Sequence, residues 1–224
     1  MRNLVLVASG GLAREVLSAV RAAGNHGRVL AVDDDPLRWG RSFAGVPVVG
    51  GIERVAGLLD SEIVVCAGRG RARRSLVERL ARVGVTWEHY ARIVHPSVEI
   101  PESCVVGRGS ILLAHVSLTS DVRIGAHVVA MPQVTLTHDD VVADYATLCA
   151  GVSLGGNVTV GSGAYLGMNA SVREGLRVGA DTVLGMGAAL LRPLPDGETW
   201  AGVPAAPLLA SRRGQLAPQL TAEA

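Results

Sequence analysis

Residues 142–178 read VADYATLCAGVSLGGNVTVGSGAYLGMNASVREGLRV, and every sixth of them is aliphatic: Val142, Leu148, Leu154, Val160, Leu166, Val172 and Val178. The register runs back through Leu136, Ala130, Ile124, Leu118, Leu112, Val106 and Ile100 to Val94, and on through Leu184 to Leu190. A period of six fits neither the 3.6 of a helix nor the 2 of an ordinary sheet, so the segment is an internal repeat. Small or aliphatic residues recur four places later (Val128, Val152, Ala164, Ala188), and glycine often follows directly (Gly125, Gly155, Gly167, Gly185). These three places describe one side of a triangular coil. An aliphatic residue fills the interior, a small one fits near the corner, and glycine or a polar residue permits the turn. Three hexapeptides close a coil of about 18 residues, so the segment supplies roughly five and a half coils of solenoid.

Composition agrees with many tight turns and little bulky packing: 28 glycines in 224 residues against 3% aromatics. A net charge of +1 leaves no basic excess for a phosphate backbone, so no nucleic-acid partner is expected. No apolar run approaches the roughly 18 residues of a membrane span, and Leu4–Val7 is too short for a signal core, so a cytoplasmic location is expected. Cys66, Cys104 and Cys149 are odd in number and far apart, which suggests neither disulfides nor a thiolate metal site. Every basic residue is Arg, which excludes a Schiff-base lysine and a Walker lysine.

The first 90 residues follow another rhythm. Leu4–Val7 is a buried-strand run, Gly10-Gly11 a turn, and Ala13–Ala23 has helical apolar spacing. A second strand over Arg28–Val32 stops at Asp33-Asp34-Asp35-Pro36, and a third, Ile63–Ala67, leads through Gly68 into a helix over Arg71–Val83. This βαβαβ order predicts a small Rossmann-like parallel sheet with its crevice at the carboxyl ends of the strands, where Gly10, Gly11, Asp33, Asp34, Gly68 and Arg69 fall. The dinucleotide fingerprint G-x-G-x-x-G is absent. The predicted division is an α/β domain over 1–90, a β-helix over 91–207 and a tail over 208–224.

Of six histidines, His26, His89 and His95 lie outside the coils or at their entry. His115, His127 and His138 follow their register residues at offsets that point them in three directions, so one chain cannot gather them round a metal, and no metal site is expected. His138 has the richest context, Thr137-His138-Asp139-Asp140, with two carboxylates either of which can hold the imidazole in one tautomer. Asp140 also occupies a corner place that is elsewhere small. One coil later, stacked over His138, comes Gly155-Gly156-Asn157, where the Gly156 N–H can approach a ligand and serve an oxyanion.

The unbroken register resembles the hexapeptide-repeat proteins that fold as a left-handed parallel β-helix. A closer resemblance rests on Gly10-Gly11-Leu12-Ala13-Arg14-Glu15-Val16, the Asp33-Asp34-Asp35-Pro36 stop, Gly45-Val46-Pro47-Val48-Val49-Gly50, the His138-acidic pair and Gly202-Val203-Pro204-Ala205. Together they look like the sialic acid O-acetyltransferase and nucleotide-aminosugar N-acetyltransferase family. The resemblance implies a homotrimer using acetyl-coenzyme A, with a nucleotide-activated amino sugar bound by the N-terminal domain. It places the catalytic base on His138, its acidic partner on Asp139, the acetyl-facing amide on Gly156, and the coenzyme A groove of a neighbouring subunit on Met168 and Met186. Gly10, Gly11, Asp33, Asp34 and Gly68 match its nucleotide-sugar cleft. Leu12 stands where the family often has His, Arg69 where it commonly has Asn or Asp, and Ala206 where it has Lys. A cation at 69 could pair with a diphosphate. The leading reading is N-acetylation. Its alternatives are O-acetylation of a sugar of the sialic acid type, and a non-catalytic or metal-binding β-helix trimer.

Overall fold

The computed structural model describes residues 1–208; the expected tail lies outside them from residue 209 onward. The N-terminal sheet contains β1 (Leu4–Val7), β2 (Val29–Val32) and β5 (Glu62–Val65), parallel in the order β2-β1-β5. Between β2 and β5 a small antiparallel hairpin, β3 (Ser42–Phe43) and β4 (Val46–Pro47), covers one edge. Helix α1 (Gly11–Ala23) begins two residues before its apolar spacing and ends at Gly24, whose φ of 60° closes it with an N–H bond to the Val20 carbonyl. Helix α2 spans Gly70–Arg82. Every β1 side chain is buried because the sheet is covered on both faces: Leu4 and Leu6 pack towards α1, Val5 and Val7 towards Leu80 and Ile52.

From Ile93 the chain winds as a left-handed parallel β-helix of two-residue strands on three flat sheets. Apart from Ile100, each register residue from Val94 to Leu190 is the second residue of such a strand. Ile100 lies in the loose first coil and is 38% exposed, so the interior begins one coil later on that side. The chain turns at a residue in the left-handed region at every sixth position from Gly109 to Gly187, among them His115, His127, Asp139, Asn157 and Asn169. The expectation that the glycine after each strand makes the turn is therefore corrected. Gly155 and Gly161 do not have positive φ; a β-carbon on either would meet the backbone of the next coil at Glu174 or Ala180. They allow stacking, not turning.

The three faces are unlike. One presents Ile93, Ile111 and Val129, which join the core of the N-terminal sheet with Leu6, Val16 and Leu17, so this face is docked against the first domain. A second presents Ser117, Thr135, Ser153, Ser171 and Ala189; the third presents Val105, Arg123, Val141, Thr159 and Arg177. The coil interior is closed at its end by Leu194 and Trp200, both buried.

Candidate active site

His138 stands at the corner between the small-residue face and the third face. Asp139 is the left-handed residue of that corner, with φ 62°, and its N–H donates to the Ser120 carbonyl one coil below. That turn directs the Asp139 carboxylate sideways onto the imidazole: His138 Nδ1 lies 2.9 Å from Asp139 Oδ2, both side chains being well exposed. An Nδ1 proton donated to Asp139 leaves Nε2 as the basic nitrogen.

Asp140, the other candidate for this task, does something else. It is fully buried, and its two oxygens accept the N–H groups of Thr137 and Val158, each at 2.8 Å. Burial pushes its carboxyl up to about 6, with the two backbone N–H donors limiting the rise. Asp140 ties one corner to the coil above it, as Ser110 does by accepting the Val128 N–H.

Above His138 lies Gly156. A β-carbon there would collide with His138 Nε2 and Cε1, so the basic edge of the ring occupies the space left by the missing side chain. The Gly156 N–H bonds to no group among the described residues.

His115 and His127 belong to the two other corners, so the three histidines do not converge. His127 is buried between aromatic rings, stacked on Tyr145 at 5.2 Å and edge-on to Tyr90 at 4.5 Å. Burial, helped by the Arg73 charge and opposed by Asp144, holds its pKa down to about 4. It is neutral at physiological pH.

Met168 and Met186 are exposed and stacked, but at the corner between the docked and small-residue faces. One chain therefore does not bring them to His138.

A cleft of about 470 Å³ opens at the carboxyl ends of β1, β2 and β5, lined by Gly10, Gly11, Asp33 and Gly68 together with Arg38 and Met131. The Asp33 carboxylate receives the Ser9 N–H at 2.7 Å and the Ser9 hydroxyl at 2.6 Å. Burial works to raise its pKa, but the Ser9 and Asp35 hydrogen bonds outweigh it and keep the group below the usual carboxylate range. Two expected residues stand apart. Asp34 is not part of the cleft lining and pairs instead with Arg79 of α2 at 2.5 and 2.9 Å. Arg69 lies over the Tyr165 ring, 4.2 Å from its centre, where the solenoid offers an aromatic face. The expectation that these two line the cleft is thus replaced by structural partners for each.

Sequence reasoning missed Ser9, Arg38 and Met131. Ser9 shares the turn of Gly10-Gly11 and was there to be found. Met131 sits at the corner that also carries Met168, and only the choice of docked face brings it under the cleft.

With this geometry in view, the relatives are informative. Residues 3–80 match the PglD N-terminal domain family. The UDP-N-acetylbacillosamine N-acetyltransferase of Bacillus subtilis (strain 168) is 31% identical over 117 residues, which is 51% of this chain and 52% of that protein. The chain thus spans about half the length of the curated relative it matches. Solved structures match almost throughout. The acetyltransferase domain of PglB from Neisseria gonorrhoeae, in complex with acetyl coenzyme A, superposes with TM-score 0.86 and 29% identity, covering 92% of this chain and 99% of that one. A histidine-to-alanine variant of GDP-perosamine N-acetyltransferase from Caulobacter crescentus, in complex with CoA and GDP-perosamine, gives TM-score 0.84 and 31% identity over 92% and 96% of the two chains. Parallel-sheet domain, hexapeptide solenoid and full-length likeness lead to one conclusion: the chain belongs to the left-handed β-helix sugar acetyltransferase family.

Proposed function

We propose that the protein is an acetyl-coenzyme A-dependent N-acetyltransferase acting on a nucleotide-linked amino sugar, working as a homotrimer in the cytoplasm. The carrying observation is the His138 corner: Nδ1 held by Asp139 at 2.9 Å and Nε2 free beside the bare Cα of Gly156. In this reading the acceptor amine attacks the thioester carbonyl, and His138 Nε2 takes its proton as the N–C bond forms. The Gly156 N–H donates to the oxyanion of the tetrahedral intermediate. The C–S bond then breaks, the amide forms, and the proton passes from Nε2 to the departing thiolate. Asp139 stabilises the imidazolium throughout.

The acceptor's nucleotide is assigned to the cleft bearing Gly10, Gly11, Asp33 and Gly68, and coenzyme A to a groove bordered by Met168 and Met186. Support comes from the corners. The cleft reaches Met131 on the methionine corner, whereas His138 is on another, so cleft and methionines of one subunit serve the base of its neighbour. Amine rather than hydroxyl acceptors are favoured by relatives named as N-acetyltransferases for UDP-N-acetylbacillosamine and GDP-perosamine. The test is a panel of UDP- and GDP-linked amino sugars with sialic acid, followed by coenzyme A release, the products then treated with hydroxylamine. Hydroxylamine-stable product from a nucleotide amino sugar supports the proposal. Ester product from sialic acid alone replaces it with O-acetylation, and no release from any member sinks both.

A further inference from the structure

The run Arg69-Gly70-Arg71-Ala72-Arg73-Arg74 forms the polar part of the seam between the two domains, beside the apolar contact of the docked face. Arg73, with no exposed surface and no ion pair among the described residues, hydrogen-bonds only to uncharged oxygens. Its Nε donates to the His127 carbonyl at 2.8 Å. One terminal nitrogen donates to the Ala67 and Gly68 carbonyls at 2.8 and 2.9 Å. The other reaches the Tyr145 carbonyl, the Ala146 carbonyl and the Thr147 hydroxyl at 2.8 to 2.9 Å. Thr147 in turn donates to the Gly68 carbonyl at 2.9 Å. A β-carbon on Gly70 would run into the Tyr145 carbonyl, so the start of α2 is pressed against the solenoid.

Ala67 and Gly68 are also a wall of the acceptor cleft, while His127, Tyr145 and Ala146 belong to two successive coils of one corner. We propose that Arg73 is a positioning residue for acetyl transfer: its guanidinium fixes the Ala67–Gly68 wall to the solenoid and so sets where a bound acceptor presents its amine. The inference rests on the function proposed above for its consequence, but not for its geometry. An apolar contact between domains allows sliding, whereas a planar fork meeting carbonyls from both domains has one arrangement. Burying the cation without a carboxylate costs stability that hydrophobic packing would not, which is reasonable only where placement matters. Lysine, a compact point charge, cannot span the three segments.

Arg73→Lys and the milder Thr147→Val are compared with the parent by three measurements: affinity for UDP and GDP, turnover of the preferred nucleotide amino sugar, and turnover of the same amino sugar without its nucleotide. A displaced but intact cleft should keep diphosphate affinity within about threefold and the free-sugar rate unchanged. Its kcat for the nucleotide-linked acceptor should fall about 10²-fold in Arg73→Lys, less in Thr147→Val, since about 1 Å of misplacement costs that much. Unchanged kcat in both variants overturns the proposal. So does a loss of diphosphate affinity equal to the loss of kcat, because Arg73 would then build the cleft rather than place it. If Arg73→Lys does not fold, Thr147→Val decides alone. A further readout needs no acceptor. Spin labels at Ser18→Cys on α1 and Glu102→Cys on the solenoid, with Cys66, Cys104 and Cys149 buried, should give a broadened distance distribution in Thr147→Val. An unchanged distribution overturns the placement role, while a parent inactive on every nucleotide amino sugar removes only the function proposed above.

Discussion

The imidazole of His138 fills the volume that a side chain on Gly156 would need, so the two residues, one coil apart, are conditions for each other. Gly156 does not have positive φ; the left-handed residue of its turn is Asn157. Gly156→Ala should therefore fold with its turn intact and still displace the base. We expect kcat to fall about 10²-fold or more, approaching the loss on deleting the base itself. Circular dichroism and thermal melting should match the parent. Full activity in Gly156→Ala would show that the ring has another productive position.

The base itself gives the second expectation. General-base assistance is worth about 10² to 10⁴ in rate, so His138→Ala should lose kcat on that scale and keep coenzyme A affinity. His115→Ala, at another corner, should cost little by comparison. Raising the pH should partly restore the His138 variant with an amine acceptor, because more of it is unprotonated without help. Stopped-flow or thiol-release rates between pH 7 and 9.5 measure this; a flat profile at full activity removes His138 from the mechanism.

How much of this was legible beforehand can be argued from single residues. The sixfold register from Val94 named the solenoid because an interior of stacked triangles admits one inward side chain per side, and only Ile100, in the loosely wound first coil, escapes. The docked face was also written in the text: the residues preceding register positions on that face are Ile93, Ile111 and Val129, whereas the adjacent face reads Ser117, Thr135 and Ser153. Sorting outward positions by threes would have found it. The choice between Asp139 and Asp140 was not readable, since both are acidic and adjacent. It is decided by which of them takes the left-handed turn and which faces the coil interior. Nor could the Asp34 partner be seen, because Arg79 comes from a helix whose rotation on the sheet sets the pairing.

Division of labour between corners yields a third expectation. Light scattering should give about three times the chain mass of 23.2 kDa. Trimers mixed from two disabled chains should then recover function. His138→Ala lacks the base, and Gly11→Trp fills the cleft from an exposed position where an added side chain meets nothing. If each site combines one chain's cleft with the next chain's base, random mixing at equal ratio restores about a quarter of the sites. No recovery above either parent variant would place cleft and base of a site within one chain.

The final expectation concerns acid stability and turns on His127. Its pKa falls from 6.5 to about 4 on folding, chiefly through burial, so between those pH values the unfolded chain binds a proton that the folded one refuses. Stability from this group is therefore lost as pH falls from 6.5 towards 4, by about 3 kcal/mol when the shift is converted. Asp140 works in the opposite direction. Its pKa rises from 3.8 to about 6, so the folded state holds the extra proton and gains stability as pH falls through that window. In the parent the two oppose each other. His127→Phe keeps an aromatic ring beside Tyr145 and removes the titrating group. The variant should match the parent to within about 1 kcal/mol at pH 7 and exceed it by about 2 to 3 kcal/mol near pH 4.5. Urea denaturation at equal chain concentration and both pH values measures the difference, in which every other titrating group is common. A gap that stays constant with pH would mean that the buried imidazole takes up its proton in the folded protein as readily as in water.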